Sequence, residues 1–231
     1  MGKKLLTIII TSYNEEKTIG AVLDKVLETP LSFEKEIIIV DGDSSDSTRE
    51  ILKRYEAGHD NIKLILEEKR EGKGAAIRKG FKAATGDVLL IQDADLELDP
   101  SEYPRLLKPL EEGKADVVYG SRFKHGRGLT SLGSYIGNQT ITWLVNILFL
   151  KRLTDIATCY KVFRKDAIKD MDLVCNGFDF DAEFTCKLLK SGKKILELPV
   201  AYVPRSHSEG KKLNWTAGLT SIRIILASRL S

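Results

Sequence analysis

The chain has 231 residues, 42% of them hydrophobic and 30% charged, which supplies one sizeable core and excludes a disordered or fibrous protein. With 36 basic and 33 acidic residues the net charge is +3, a balance that names no polyanionic partner, so no nucleic acid is expected. The basic residues gather only locally, at Lys69-Arg70, Lys73, Arg78-Lys79 and Lys211-Lys212; such clusters read first as solvated faces and only then as anion contacts.

Residues 5–11, rich in Ile, Leu and Thr, read as a first strand. Ile19, Val22, Leu23, Val26 and Leu27 recur at helical spacing and predict a helix over 15–28, with Pro30 just past its end. Residues 36–40 are continuously apolar, as in a strand buried on both faces of a parallel sheet. A helix capped by Asp46 or Ser47 runs to about 55. A third strand covers 62–66, a helix 72–84, and a fourth strand 87–92. This β-α-β-α-β-α-β order predicts a doubly wound α/β sheet. No Gly-x-Gly-x-x-Gly follows the first strand, which argues against a dinucleotide enzyme. Farther on, the pattern predicts a helix over 99–112, a strand over 116–119, and a glycine-rich, mobile loop over 120–133. A helix over 137–151, a short strand over 160–163 and a helix over 180–190 follow. Strands at 194–197 and 201–203 and a helix over 215–230 complete the chain. With no repeat and no low-complexity linker, one compact domain is expected over 1–231.

Cys159, Cys175 and Cys186 lack metal-ligand spacing and read as reduced thiols of a cytoplasmic protein. The strand pattern begins by Leu5, which leaves no room for a signal peptide. The longest apolar run, 141–150, is interrupted by Asn146 and falls short of the ~20 residues of a spanning helix. It reads as a core helix or as one lying against a bilayer. On a helical wheel Trp215, Leu219, Ile222, Leu226 and Leu230 share a face flanked by Arg223 and Arg229, a pattern that suits core packing or peripheral contact with a membrane surface.

The chemistry-bearing residues cluster at predicted strand ends, where open α/β sheets bind ligands. The first strand ends in Thr11-Ser12-Tyr13-Asn14-Glu15-Glu16, which can hold a base and ribose or, more plainly, cap a helix through Asn14. The second ends in Asp41-Gly42-Asp43-Ser44-Ser45-Asp46. Glu71-Gly72-Lys73-Gly74 opens a helix whose N-terminus attracts anions. The fourth strand runs into Asp93-Ala94-Asp95-Leu96-Glu97, whose hard oxygens suit Mg²⁺ or Mn²⁺ bridging to phosphate.

Together these motifs, with Gly86-Asp87, resemble the family 2 glycosyltransferases of GT-A fold, which have a Rossmann-like, mostly parallel central sheet flanked by helices. Gly120-Ser121-Arg122-Phe123, Thr154-Asp155 and Arg205-x-x-x-Glu209-Gly210-Lys211-Lys212 make the chain most similar to dolichyl-phosphate mannose synthases and related polyprenyl-phosphate hexosyltransferases. The resemblance implies a nucleotide-sugar-binding half, 1–98, and an acceptor half, 99–231. Donor contacts would come from Thr11, Tyr13, Glu15, Asp41, Lys73, Asp93 and Ala94. Asp93, Asp95 and Glu97 would meet metal and diphosphate. Arg122 and Arg205, with Lys211 close by, would bind an acceptor phosphate, so that Asp93, Asp95, Arg122 and Arg205 carry the reaction. Two departures fall on the acceptor side: Ile136-Gly137-Asn138-Gln139 stands where relatives supply an arginine, and Thr158-Cys159-Tyr160 where they have Ser-Gly-Phe.

The expected reaction is an inverting transfer of hexose from GDP-mannose or UDP-glucose to a polyprenyl (dolichyl) phosphate. A phosphate monoester is already anionic at neutral pH, its second pKa being near ~6, so no strong base is required. A saccharide or other soluble acceptor would require one, and Asp155 and Glu183 are the acids available. A nucleotidyltransferase and a non-catalytic nucleotide-binding module are the competing readings; the first lacks its glycine-rich loop, the second has no use for two charged sites.

Overall fold

The structure, a computed structural model, describes residues 4–205 and 215–230. Among them, one seven-stranded sheet has the order β3-β2-β1-β4-β6-β5-β7. It comprises β1 (Leu5–Ser12), β2 (Glu34–Asp41), β3 (Ile62–Leu66), β4 (Val88–Asp93), β5 (Val117–Ser121), β6 (Lys161–Arg164) and β7 (Ile195–Pro199). All neighbours run parallel except β6, which is antiparallel to both β4 and β5. The helices are α1 (Ile19–Glu28), α2 (Thr48–Gly58), α3 (Lys73–Ala83), α4 (Tyr103–Glu111), α5 (Leu132–Phe149), α6 (Phe180–Lys190) and α7 (Trp215–Leu230).

The central strands are apolar because both of their faces are covered. Ile8, Ile9, Ile10 and Ile37 through Val40 are fully buried, each stabilising the fold by roughly 1.5–3 kcal/mol. The same packing sets the register. Thr11 lies opposite Val40 and Asp93, and Ser12 opposite Asp41, so three strands end level at one edge. The chain runs outward from β1 to β3 and then returns to the other side of β1 as β4. The crevice between β1 and β4 is therefore the point where strand order reverses, the usual ligand position in such sheets. Because β6 runs backwards, its amino end, Lys161, comes to that same edge, opposite Tyr119 of β5.

Several predicted elements shift. The first helix begins at Ile19 rather than 15, because 13–18 form a turn in which Asn14 adopts φ 52°. Asn14 does not cap that helix; its Oδ1 accepts from the Ser45 amide at 2.8 Å and ties the first two strand-end loops together. Helix α5 starts at Leu132, inside the predicted loop, with Ser131 accepting from the Ser134 amide. Residues 201–203 form no strand; this segment hangs on α4 and on the turn after β4 through Ala201 N to Glu102 Oε1 and Val203 N to the Glu97 carbonyl.

Candidate active site

A cavity of about 540 Å³ opens where β1 and β4 end, and Thr11, Tyr13, Glu15, Lys73, Asp93, Ala94, Asp95, Glu97, Arg122 and Arg205 all line it. The sequence had separated these residues by up to 194 positions; the ends of β1, β4 and β5, the start of α3 and the segment after β7 bring them together.

One wall is built on β4. Asp93 Oδ1 meets Lys73 Nζ, the first residue of α3, at 2.6 Å. Burial opposes ionisation of Asp93, but the Lys73 ammonium outweighs it and holds the carboxyl below its ordinary range. Asp95, two residues on, is different. Burial, and then the charges of Asp93 and Glu97, push its carboxyl up to about 7 against the pull of Arg205. Two unlike carboxyls thus share one corner. Ala94 contributes its carbonyl, which accepts from Thr18 Oγ1 at 2.7 Å. Glu97 turns outward to accept from Tyr202 Oη and the Arg205 amide at 3.0 and 2.8 Å.

Arg205 crosses the corner. Its Nη1 donates to Glu15 Oε2 at 2.7 Å and its Nη2 to Asp95 Oδ2 at 3.1 Å, while among the described residues its buried Nε has no partner. In this state the Arg205 guanidinium neutralises donor-side carboxylates, whereas the sequence reading assigns it to the acceptor. Lys211 lies outside the described residues, so its place at the site is not described.

The opposite wall centres on Arg122, just past β5. Asp155, fully buried, accepts from its backbone amide, Nε and Nη2 at 3.0, 2.7 and 2.8 Å. Burial disfavours the guanidinium charge, but Asp155 more than compensates and makes Arg122 harder to deprotonate than a free arginine. Asp155 is held in turn, its amide donating to Glu197 Oε1 at 3.0 Å. Neither acid considered as a base lines the cavity: Asp155 is spent on Arg122, and Glu183 accepts from the amides of Val174 and Cys175 and pairs with Lys187 at 2.8 Å. Gln139, where an arginine is missing, donates to the Thr154 carbonyl instead.

Two donor-side readings change in detail. Asp41 does not line the cavity; it is sealed beneath it, accepting from Ser12 Oγ, Ser44 N and Arg49 Nε. The glycines flanking Lys73 serve close approach to the protein's own chain rather than to an anion. The Gly74 and Ala75 amides donate to the Asn176 carbonyl at 2.8 and 3.2 Å, and a Cβ at Gly72 or Gly74 would overlap the backbone at 175–176. Sequence reasoning also missed residues that the fold adds. Arg70 lies over the Tyr13 ring, 3.9 Å from its centroid, where a base-sized ring has both an aromatic and a planar cation to stack on. The only sequence signal for it was the Lys69-Arg70 cluster. Asp181, Phe178 and Tyr202 line the cavity as well.

This geometry joins an acidic corner at a strand switch point to a secured arginine on the facing wall. The sequence pattern described as Glycosyl transferase family 2 matches residues 7–172. A dolichol-phosphate mannosyltransferase of Pyrococcus furiosus is 28% identical over 214 residues, 89% of this chain and 58% of that protein. A low-salt glycan biosynthesis hexosyltransferase, Agl6, of Haloferax volcanii is 27% identical, over 96% of this chain and 53% of its own length. The chain therefore spans a little over half the length of these two relatives. Among solved structures, glucosyl-3-phosphoglycerate synthase from Mycobacterium tuberculosis, in complex with Mn²⁺, uridine diphosphate and phosphoglyceric acid, superposes with a TM-score of 0.76 at 18% identity, over 98% of this chain and 78% of that one. That likeness bears on the fold alone, which is GT-A. With the pattern matched across most of its length, the chain belongs to glycosyl transferase family 2.

Proposed function

We propose that this chain transfers a hexose from a nucleotide sugar, GDP-mannose or UDP-glucose, to a polyprenyl phosphate, with inversion at the anomeric carbon. The observation that carries the proposal is the pairing, in one cavity, of an acidic corner with an arginine already locked in position. Tyr13 and Arg70 suit the base of the donor, and Lys73 suits its diphosphate.

Asp93, Asp95 and Glu97 would hold a divalent cation. Their oxygens are the right donors for Mg²⁺ or Mn²⁺, and Asp95, raised by burial and then by the charges of Asp93 and Glu97, is a carboxylate that a cation would stabilise. Among the described residues no three His, Cys, Asp or Glu side chains enclose an ion by themselves. The protein thus offers part of a coordination shell, as suits an ion that also holds phosphate oxygens. When bound, the ion neutralises charge on the departing diphosphate. An ion there would compete with the Arg205 guanidinium, which already donates to Asp95 Oδ2 at 3.1 Å.

The acceptor phosphate would dock on Arg122, whose planar fork matches phosphate oxygens. Asp155 fixes the fork without lining the cavity itself. The apolar tail has a surface to lie on. Leu132, Ile136, Trp143 and Ile147 of α5 and Leu150 just beyond it project from one helical face and are 48–90% exposed, with Leu219 and Leu226 of α7 also exposed. The side chains of Trp215 and Leu230, counted on that face from the sequence, lie outside the described residues. Val145 and Thr142 on the other face of α5 are buried, so one face packs in the core while the other is free for the proposed contact. Among the described residues no helix is long and apolar enough to cross a membrane, and contact with a membrane surface is proposed instead. The name of the Pyrococcus relative supports this acceptor; a soluble phosphorylated acceptor would use the same arginine.

The test is a donor screen with Mn²⁺, scored by mass for hexose added to a short polyprenyl phosphate and, in parallel, to 3-phosphoglycerate. A hexosyl polyprenyl phosphate of inverted configuration is expected. Transfer to the soluble acceptor alone would overturn the lipid assignment, and no transfer from any nucleotide sugar would overturn the function.

A further inference from the structure

Transfer requires a place for the hexose itself, between the leaving diphosphate and the incoming phosphate. Asp181, in the first turn of α6, lines the cavity with its side chain 11% exposed. It shares that cavity with Lys73 on one wall and Arg122 on the other. A carboxylate there repels diphosphate and phosphate monoester alike. What it does well is accept hydrogen bonds from neutral hydroxyls, and strongly, because it is charged.

Its charge is held from below. Lys161, fully buried at the amino end of β6, donates to Asp181 Oδ1 and to the Thr158 carbonyl, with its ammonium 5.1 Å from the Tyr119 ring centroid. A buried ammonium with one carboxylate is no more stabilising than an apolar side chain of the same volume. The pair does hold the Asp181 side chain in one direction. Beside it the Phe178 ring, 5.9 Å from Lys73 Nζ, gives the cavity a flat apolar face, against which the C–H face of a sugar ring can pack. The surroundings therefore suit a polyhydroxyl ring and not a third phosphate.

We propose that Asp181 reads a hydroxyl of the transferred hexose and that Lys161 is the positioning residue that aims it. The inference rests on the hexose-transfer reading above. The test is calorimetric titration, with Mn²⁺ present, of UDP and GDP, of UDP-glucose and GDP-mannose, and of the monodeoxy analogues of the donor that binds. In the wild type, loss of one particular hydroxyl is expected to weaken binding by roughly 10- to 100-fold, the worth of a hydrogen bond to a charged group. In the double variant Asp181→Asn/Lys161→Met, which leaves no unpaired buried charge, parent and deoxy donors should bind alike while the free diphosphate binds as it does to wild type. Lys161→Met alone should narrow the discrimination and Lys161→Arg should restore it. Wild-type discrimination retained in the variants, or no hydroxyl that matters in wild type, overturns the assignment and leaves hexose transfer standing. If neither diphosphates nor nucleotide sugars bind at all, the transfer reading falls and takes this inference with it.

Discussion

The two walls of the cavity hold their charges in opposite ways. On the β4 wall three carboxylates lie within five residues, and the cations that answer them come from α3 and from the segment after β7. Lys73 holds Asp93 below its ordinary range, whereas burial and then the neighbouring carboxylates raise Asp95 although Arg205 lies 3.1 Å away. On the facing wall one arginine donates three hydrogen bonds to a single buried carboxylate, itself braced by Glu197. The first wall is short of positive charge and ready to exchange one cation for another. The second is finished before any ligand arrives. A preorganised charge acts without reorganising when the reaction occurs, whereas an under-neutralised one makes binding depend on the cation that completes it.

The contrast can be broken most severely at Asp155. Asp155→Asn leaves Arg122 buried without its counter-charge, and a loss of about 3–5 kcal/mol is expected in urea denaturation, with most of it recovered in Asp155→Asn/Arg122→Met. A neutral single substitution would mean that this wall is not held by its ion pair. The β4 wall should answer to pH instead. In the metal-free chain the Asp95 carboxyl titrates at about 7 when folded, against an ordinary 3.8. Between those values the folded chain retains a proton that the unfolded chain has lost, so this residue lowers stability as pH rises from about 4 to 7. Asp95→Asn should remove roughly 1–4 kcal/mol of that decline. Asp93, depressed by Lys73, acts with the opposite sign, and because its charge helps to raise Asp95 the comparison reads the two carboxyls together. Unchanged pH dependence would deny the surplus charge. The smallest effect on folding is expected on α5: Trp143→Ser with Ile147→Ser should shift stability by under about 0.5 kcal/mol each, as for exposed positions. Flotation with liposomes containing acidic lipid should nonetheless fall several-fold, and undiminished flotation would detach the apolar face from the membrane.

The donor wall was largely legible beforehand because it is made of strand ends. A buried parallel strand is a continuous apolar run, and the polar residue that stops it marks the sheet edge; Thr11, Tyr13, Glu15 and Asp93 through Glu97 could all be found that way. Asp41 obeyed the same rule and went beneath the edge, because Ser12, Ser44 and Arg49 use up its oxygens. Gly72 and Gly74 announced a close approach without saying to what. The facing wall gave weaker signals. Arg122 was found by resemblance, while Asp155 and Glu183 looked like free acids although both are consumed by internal partners.

What the chain alone determined is the set of elements and the faces they bury, since apolar spacing and local hydrogen bonding act over a few residues. It determined the Asp93-Ala94-Asp95 corner for the same reason. Tertiary structure alone decided that β6 runs backwards between β4 and β5. That reversal carries Lys161 to the ligand edge and gives Asp181 its partner. No local pattern encodes it, because strand direction depends on how far-separated segments pair, and the free energy that selects the pairing comes from burying both faces of the whole sheet at once.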